Sequence, residues 1–454
     1  MKTLIRMTIL LLMIAATTRA KAQEKEDDDS LETVTLKPSE NLFVLDAQLF
    51  TRGEIRDGGL PANKTENPET KANFVVERAR LVFGYKHDFL EAKINVQHEG
   101  LWGMEGDGGN FDIYEAWAHL KAKNGLFARI GRQELIYDDE RILGSDDWSM
   151  AAMSHDGLKV GYEGHGHYAH AFFAYNQNAK NQNGGTFYKD GAQVYKTMQV
   201  LWYHYDVPKF PLGISLIAMN TGMQGGNEDD YHTVNQQTVG GYLTFKPKKL
   251  TLEASYYRQM GKASLNYESG TELPIRAWMA SVKATYDFSK YFTGYVGYDY
   301  LSGEKGFVVP QEGQIGQVKH TEITGFTSIF GSRHKFYGAM DFFYVSAYFD
   351  TYSPGLQTLY AGGTVHPIDN LSLKAAYHYM GVTTDASSLK KTLGHEIAFS
   401  ASYDFHKDMT IGCGYSFMRG TDTMVRLKRS TDRRQLHWAW VMLKISPRIF
   451  SAKW

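Results

Sequence analysis

From Leu42 onward, apolar and polar residues alternate with a period of two. In 42–56, Phe43, Leu45, Ala47 and Leu49 lie on one face. Asp46, Gln48, Arg52, Glu54 and Arg56 lie on the other. In 74–87, Ala79, Leu81, Phe83 and Tyr85 oppose Arg78, Arg80 and Lys86. In 89–102, Leu90, Ala92, Ile94 and Val96 oppose Glu91, Lys93, Asn95, Gln97 and Glu99. Successive side chains of a strand point to opposite faces, so each segment predicts a strand with one greasy and one charged side. A soluble sheet meets this condition with a core on one side and water on the other, and a transmembrane barrel with lipid outside and a wet channel inside.

The connections separate these two cases. Short ones fall at His87-Asp88, 123–125, 164–166, 207–211, Pro247-Lys248, Ser289-Lys290, 367–370 and His406-Lys407. Long ones fall at 57–73, 103–110, 137–154, 178–194, 222–233, 262–274, 303–353, 381–392 and 419–434. Short and long alternate without a break and predict about 18 strands, an even number with both ends of the sheet on one side. The fold class expected is therefore all-β, a transmembrane antiparallel up-and-down β-barrel with short periplasmic turns and long extracellular loops. Tyr85, Tyr162, Tyr203, Tyr205, Phe245, Tyr286, Phe288, Tyr291, Tyr403 and Phe405 cluster beside the short turns, where a membrane-interface girdle belongs. The last strand is expected at 435–445, with 446–453 as an extension ending in Trp454.

Ahead of the barrel, Lys2 and Arg6 precede the apolar run 7–16, and Ala20-Lys21-Ala22 fits a cleavage site. Residues 1–22 are expected to be an export signal, with 23–41 a mobile acidic periplasmic segment and 42–454 the barrel. No folded plug is expected in the polar segment ahead of the first strand, which argues against a receptor of the plugged-barrel type. Cleavage removes four of the 49 basic residues and no acidic ones, leaving 45 against 50. That balance provides no footprint for nucleic acid. The single cysteine, Cys413, permits neither an intrachain disulfide nor a cysteine metal site, and no cofactor is expected. The 29 Tyr, 25 Phe and 44 Gly against 11 Pro suit many alternating strands.

Three stretches resemble the alginate export family of outer-membrane porins. The first is Gly131-Arg132-Gln133-Glu134-Leu135, continuing through Asp138 and Arg141-Ile142-Leu143-Gly144 to Trp148. The second is Ser154-His155-Asp156-Gly157-Leu158, and the third runs from Arg333-His334-Lys335 to Asp341. The resemblance implies an 18-stranded monomeric barrel in the outer membrane of a Gram-negative bacterium, with a narrowed, electropositive pore. In the best-known branch the cargo is alginate, a polymer of uronic acids. Here Asp46, Glu54, Glu91, Glu99 and Glu115 share the inner face with the basic residues, so the lumen is mixed in sign.

Passage of an anion needs fixed positive charge along a wet path. The candidates on the predicted channel face are Arg52, Arg56, Arg78, Arg80, Lys93, Arg129, Gln133 and Lys159. Arg333, Lys335 and Asp341 in the loop 303–353 are candidates for a constriction. Each basic residue has a plainer alternative, an ion pair in the wall with Glu54 or Glu115. Arg132 falls on the outward parity and calls for a bulge or a position above the bilayer. The loop 303–353, with its aromatic run from Phe342 to Tyr344, either folds over or into the pore or forms an outer cap.

Other motifs carry less chemistry. Ser154, His155 and Asp156 are consecutive on a strand and cannot form a relay with one another. His165, His167 and His170 mark a polar turn, and the acidic stretches 107–110 and 228–230 lack regular calcium spacing. The leading expectation is a passive channel for polar, anionic solutes such as uronate-type saccharides, and not an enzyme. The alternatives are a barrel-wall hydrolase, for which no nucleophile and base are found, and a surface binding protein with a closed lumen.

Overall fold

The computed structural model describes residues 40–58, 71–103, 109–177, 194–226, 229–264, 272–304, 321–343, 353–384, 390–427 and 435–454. The expected export signal and almost all of the acidic segment lie outside the described residues, as do Tyr344, Asp107, Gly108 and Glu228. The described residues form twenty strands. The first ten are β1 (Leu42–Asp57), β2 (Lys71–His87), β3 (Leu90–Leu101), β4 (Asn110–Lys121), β5 (Leu126–Gln133), β6 (His155–Gly164), β7 (His167–Tyr175), β8 (Thr197–Asp206), β9 (Leu212–Gly226) and β10 (Tyr231–Phe245). The rest are β11 (Leu250–Ser264), β12 (Glu272–Pro274), β13 (Ala277–Ser289), β14 (Phe292–Leu301), β15 (Leu356–Ile368), β16 (Leu371–Gly381), β17 (Thr392–His406), β18 (Met409–Gly420), β19 (Gln435–Ile445) and β20 (Arg448–Lys453). One short helix, α1 (Asp422–Leu427), follows β18.

Neighbours in sequence pair antiparallel, save β12 with β13 and β19 with β20, and the ring closes. β1 pairs with β2 on one side and with both β19 and β20 on the other. β12 and β13 share β11 as partner, so each of these two pairs counts as one interrupted strand and the barrel has 18. Lipid offers no hydrogen bonds to an open sheet edge, so closure is a condition for existing in a bilayer. The seam runs to the end of the chain: the Asn41 and Trp454 backbones exchange hydrogen bonds of 2.9 and 3.2 Å, and Arg448 grips Asp46 at 2.8 and 3.2 Å. Residues 446–453 are thus no extension. After a break at Ser446-Pro447 they resume the last strand and seal it to β1.

All eight short turns stand where the alternation places them. The expected long connection at 222–233 is shorter, because β9 continues to Gly226 and β10 starts at Tyr231. Gly222, Gly225 and Gly226 weaken the sequence pattern there, yet the ladder with Tyr231–Asn235 is complete. Similarly, part of 262–274 pairs as β11 with β12.

The outer face is a continuous apolar ring that includes Leu81, Ile94, Ile130, Leu201, Leu216, Val282, Val296, Leu359 and Phe399, all exposed. A patch that encircles the molecule is a surface for hydrocarbon, not water. Tyr286, Phe288, Tyr291 and Phe405 crowd its turn-side edge, also exposed. The inner face does not obey a simple polar rule. On β1–β6 it carries Arg, Lys, Glu and Gln. On β7–β19, towards the long loops, it carries Phe172, Met198, Val200, Ile217, Met219, Tyr257, Met279, Met380 and Met418, all buried in a second core inside the barrel.

Val296 on β14 lies opposite Ala284 and Ala361 and points outward. Val296→Arg is expected to lower folding stability in lipid vesicles by about 2–4 kcal/mol, read as a shift in the urea midpoint. The inward Lys283→Arg is expected to leave the midpoint unchanged. Equal stability of wild type and Val296→Arg would mean that this face does not meet hydrocarbon.

Candidate functional site

Two connections turn inward and fill the inner core. The first is 134–154, between β5 and β6, and the second is 321–343, from the connection between β14 and β15. They join each other through a parallel bridge at Leu143 and Phe330, the Gly144 N–H donating to the Phe330 carbonyl at 2.9 Å. The Asp146 N–H donates to Ser332 Oγ at 3.0 Å, the Arg333 N–H donates to Asp146 Oδ1 at 2.9 Å, and Lys335 pairs with Glu140.

The first loop departs where β5 becomes unusual. Gly131 has φ +121°, and a Cβ there would lie 2.1 Å from the Ala116 carbonyl oxygen, so only glycine fits. Nearby, β4 bulges against β3 between Asn95 and Val96. Beyond Gln133 the chain crosses most of the lumen. Arg141, wholly buried, reaches the far wall: its Nη2 donates to Asp299 Oδ1 on β14 at 2.8 Å and to Ser281 Oγ on β13 at 3.0 Å. Asp139 takes Arg141 Nε at 2.9 Å, and the Tyr337 hydroxyl of the second loop takes Nη1 at 3.1 Å. Burial works against the guanidinium charge, but Asp299, Tyr337 and Asp139 outweigh it and hold the group well above its ordinary pKa. Burial pushes the Asp139 carboxyl up, with Arg141 opposing.

The same loop lies across the basic wall. Arg78 donates to the Asp147 and Ser149 carbonyls at 3.1 and 3.2 Å and pairs with the Asp147 carboxylate at 3.0 Å, which Arg80 also meets at 2.9 Å. Arg52 donates to the Trp148 carbonyl at 3.0 Å and lies 4.0 Å from the centre of its ring. On its other face Trp148 stacks on His334 at 4.1 Å, and Asp341 takes His334 Nδ1 at 2.9 Å. Arg52, Trp148, His334 and Asp341 thus clamp both loops to β1, with Trp440 edge-on to Trp148 at 5.3 Å. A further anchor is Glu396 on β17, fully buried, whose Oε1 accepts the Ala339 and Met340 N–H groups at 2.6 and 3.2 Å.

All of the wall residues proposed from parity face inward. Arg52 and Arg56 both pair with Glu54, at 2.8 and 2.9 Å, and Lys93 pairs with Glu115, so the plainer ion-pair alternative also holds for these three. Arg80 Nε also donates to Gln97 Oε1, at 2.7 Å. Arg129 donates to His119 Nδ1 at 2.8 Å and lies over Trp117. Lys159 is directly opposite Arg129 on β6, two cations side by side. Gln133 is inward but fully buried beneath the first loop, its Nε2 at 3.3 Å from the Gly131 and Gly157 carbonyls. Arg333 and Lys335 occupy a single 3-10 turn and are exposed. Arg132 faces outward, as its parity requires, and is held bidentately by Asp156 and by Asp112 at 3.2 Å. Ser154, His155 and Asp156 do not converge: His155 is buried against Tyr195, while Asp156 is on the outer wall.

The alginate export family matches residues 12–395. The chain belongs to this family. A search of curated protein sequences found no match. Solved structures with the same fold include OccK2 (OpdF) of Pseudomonas aeruginosa in complex with glucuronate, 12% identical over 90% of this chain and 98% of that one, TM-score 0.57. OccAB1 of Acinetobacter baumannii is 13% identical over 90% and 97%, TM-score 0.57. A BenF-like porin from Pseudomonas fluorescens Pf-5 is 13% identical over 90% and 99%, TM-score 0.55. The family and the fold make the protein an outer-membrane channel rather than an enzyme.

Asp139, Arg141, Asp147 and Trp148 were not among the residues picked out by parity, because they lie in a connection and not on a strand. The signal that could have found them is the family stretch from Gly131 to Trp148 itself, which is dense in Asp and Arg. Trp148→Ala removes the stacking on both Arg52 and His334. It is expected to raise single-channel conductance and open-channel noise in planar bilayers. Unchanged conductance would mean that the clamped loops do not limit the path.

Proposed function

We propose that the protein passes small anionic sugars or similar polar carboxylates along the basic wall of β1–β6, past the two inward loops. The observation that carries this reading is the set of inward cations on β1, β2, β3, β5 and β6: Arg52, Arg56, Arg78, Arg80, Lys93, Arg129 and Lys159. Arg129 and Lys159 stand directly opposite each other, so an anion moving along this wall meets two cations at one level. Arg can hold a carboxylate bidentately, and a row of such groups hands an anion on, because no single site binds it too tightly to leave. Glu54 and Glu115 temper the field, which favours transit over capture. The family's alginate cargo and the glucuronate in the OccK2 structure are uronates, consistent with this class. The reading takes residues 1–22 as the export leader, and places Arg333, Lys335 and Asp341 near the constriction.

The filled long-loop half of the lumen favours a second reading, a surface receptor whose barrel stays shut. The two readings differ in whether current flows. Under a KCl gradient, the reversal potential is expected to show chloride preferred over potassium, and glucuronate, but not glucose, is expected to reduce the chloride current. The double substitution Arg78→Gln, Arg80→Gln is expected to lower the anion preference several-fold. Cation preference, or no dependence on Arg78 and Arg80, would refute the proposal, and absence of current from folded protein would favour the receptor.

A further inference from the structure

On the long-loop side of β8–β11 the apolar belt of the outer wall gives way to a cluster of polar residues. Moving up from the short turns, the outward residues of β8 are Tyr205, Tyr203 and Leu201, then Gln199. On β9 they are Ile214, Leu216 and Ala218, then Asn220. On β10 they are Leu243, Gly241 and Val239, then Gln237 and Asn235. On β11 they are Leu252, Ala254 and Tyr256, then Arg258. The polar residues are adjacent in register, Gln199 opposite Asn220 and Asn220 opposite Gln237. They are also bonded to one another. Asn220 Nδ2 donates to Gln199 Oε1 at 2.7 Å and to Asn235 Oδ1 at 3.0 Å, and its Oδ1 accepts from Gln237 Nε2 at 2.7 Å.

Arg258 completes the patch. It is exposed, and among the described residues no carboxylate pairs with it. It lies directly opposite Trp278, above a belt in which Tyr256 and Trp278 are 6.1 Å apart and Trp278 stacks on Tyr300 at 4.8 Å. Rings of this kind mark headgroup depth. The height agrees. Eight residues separate Leu250 from Arg258, about 20 Å along the barrel axis for a strand tilted by about 40°, against an apolar band about 25 Å tall. An outward guanidinium there sits at the border of the hydrocarbon, where an anionic headgroup compensates it. The outward Arg132 on β5 differs in just this respect, since Asp156 and Asp112 already neutralise it.

We propose that this face binds the phosphorylated sugar headgroup of an outer-leaflet glycolipid. Arg258 takes the phosphate in its planar fork. The Gln199 and Asn235 amide nitrogens, whose oxygens Asn220 holds in place, donate to sugar hydroxyls. The lipid's acyl chains then lie along Leu216, Leu243 and Leu252 beneath. The site is on the outer wall and is independent of what the lumen carries.

Native mass spectrometry of the full-length protein in detergent tests this with lipid A as the probe, alongside dephosphorylated lipid A and phosphatidylglycerol. Wild type is expected to retain one lipid A. Binding is expected to fall at least tenfold with Arg258→Gln or with dephosphorylated lipid A, and to weaken with Asn220→Leu, while Arg132→Gln binds as wild type does. Heat-shifted gel migration confirms that each variant is folded. Equal binding by wild type and Arg258→Gln, or none by either, would overturn the proposal. Equal retention of phosphatidylglycerol would overturn the sugar-specific part. A lipid-free dimer dispersed by Arg258→Gln would assign the patch to a second copy of the chain instead.

Discussion

Where β1 meets β19 and β20, the first edge of the sheet satisfies the last. The pairing runs from Leu42 opposite Lys453 to Asp57 opposite His437, bending once at the break near Pro447. Every other property of the molecule presupposes this seam. With it shut, each backbone group inside the bilayer has a partner on a neighbouring strand. The parity of each strand then decides alone which side chains meet lipid and which meet the lumen. A register slip of one residue would turn Arg78 and Arg80 into the hydrocarbon and Leu81 into the channel.

Closure creates a cylinder wide enough to need filling, and the fill is asymmetric. One wall is charged, and the opposite one, in its long-loop half, is lined by Met, Phe, Ile and Tyr. The two inward loops pack apolar residues on the second wall and polar ones on the first. Arg141 is the exception, a charge buried against the second wall that Asp299, Ser281, Asp139 and the Tyr337 hydroxyl make tolerable. At the first wall the loop brings two kinds of contact: the Trp148 ring lies against Arg52 and His334, and the Asp147 carboxylate pairs with Arg78 and Arg80. The loops thus narrow the lumen, and Asp147 joins Glu54 and Glu115 in tempering the basic wall.

Much of the barrel was legible because lipid imposes one rule on every strand. Parity placed Arg52, Arg78, Arg80, Lys93, Arg129 and Lys159 inward, put Arg132 outward, and located all eight short turns. What parity could not reach lies where that rule lapses. Above the bilayer, β9 and β10 pair through glycines that read as a loop. At 446–453 a proline hid the resumption of the last strand. Inside the barrel, Phe172, Met198 and Met219 look like strand residues greasy on both sides, and nothing local says that 134–154 and 321–343 come to cover them. The partners of Arg141 are at Asp299 and Tyr337, more than 150 residues away along the chain, beyond the range of any periodicity.

Cysteine scanning along β2, in a Cys413→Ser background, addresses the division of the wall most directly. The account predicts that Arg80→Cys and Val82→Cys react with a charged, membrane-impermeant thiol reagent, with a change in ionic current as they do. It also predicts that Ala79→Cys and Leu81→Cys, in the same bilayer, react only with a lipid-soluble reagent. Modification of the odd positions by the charged reagent, with the even ones protected, would contradict it.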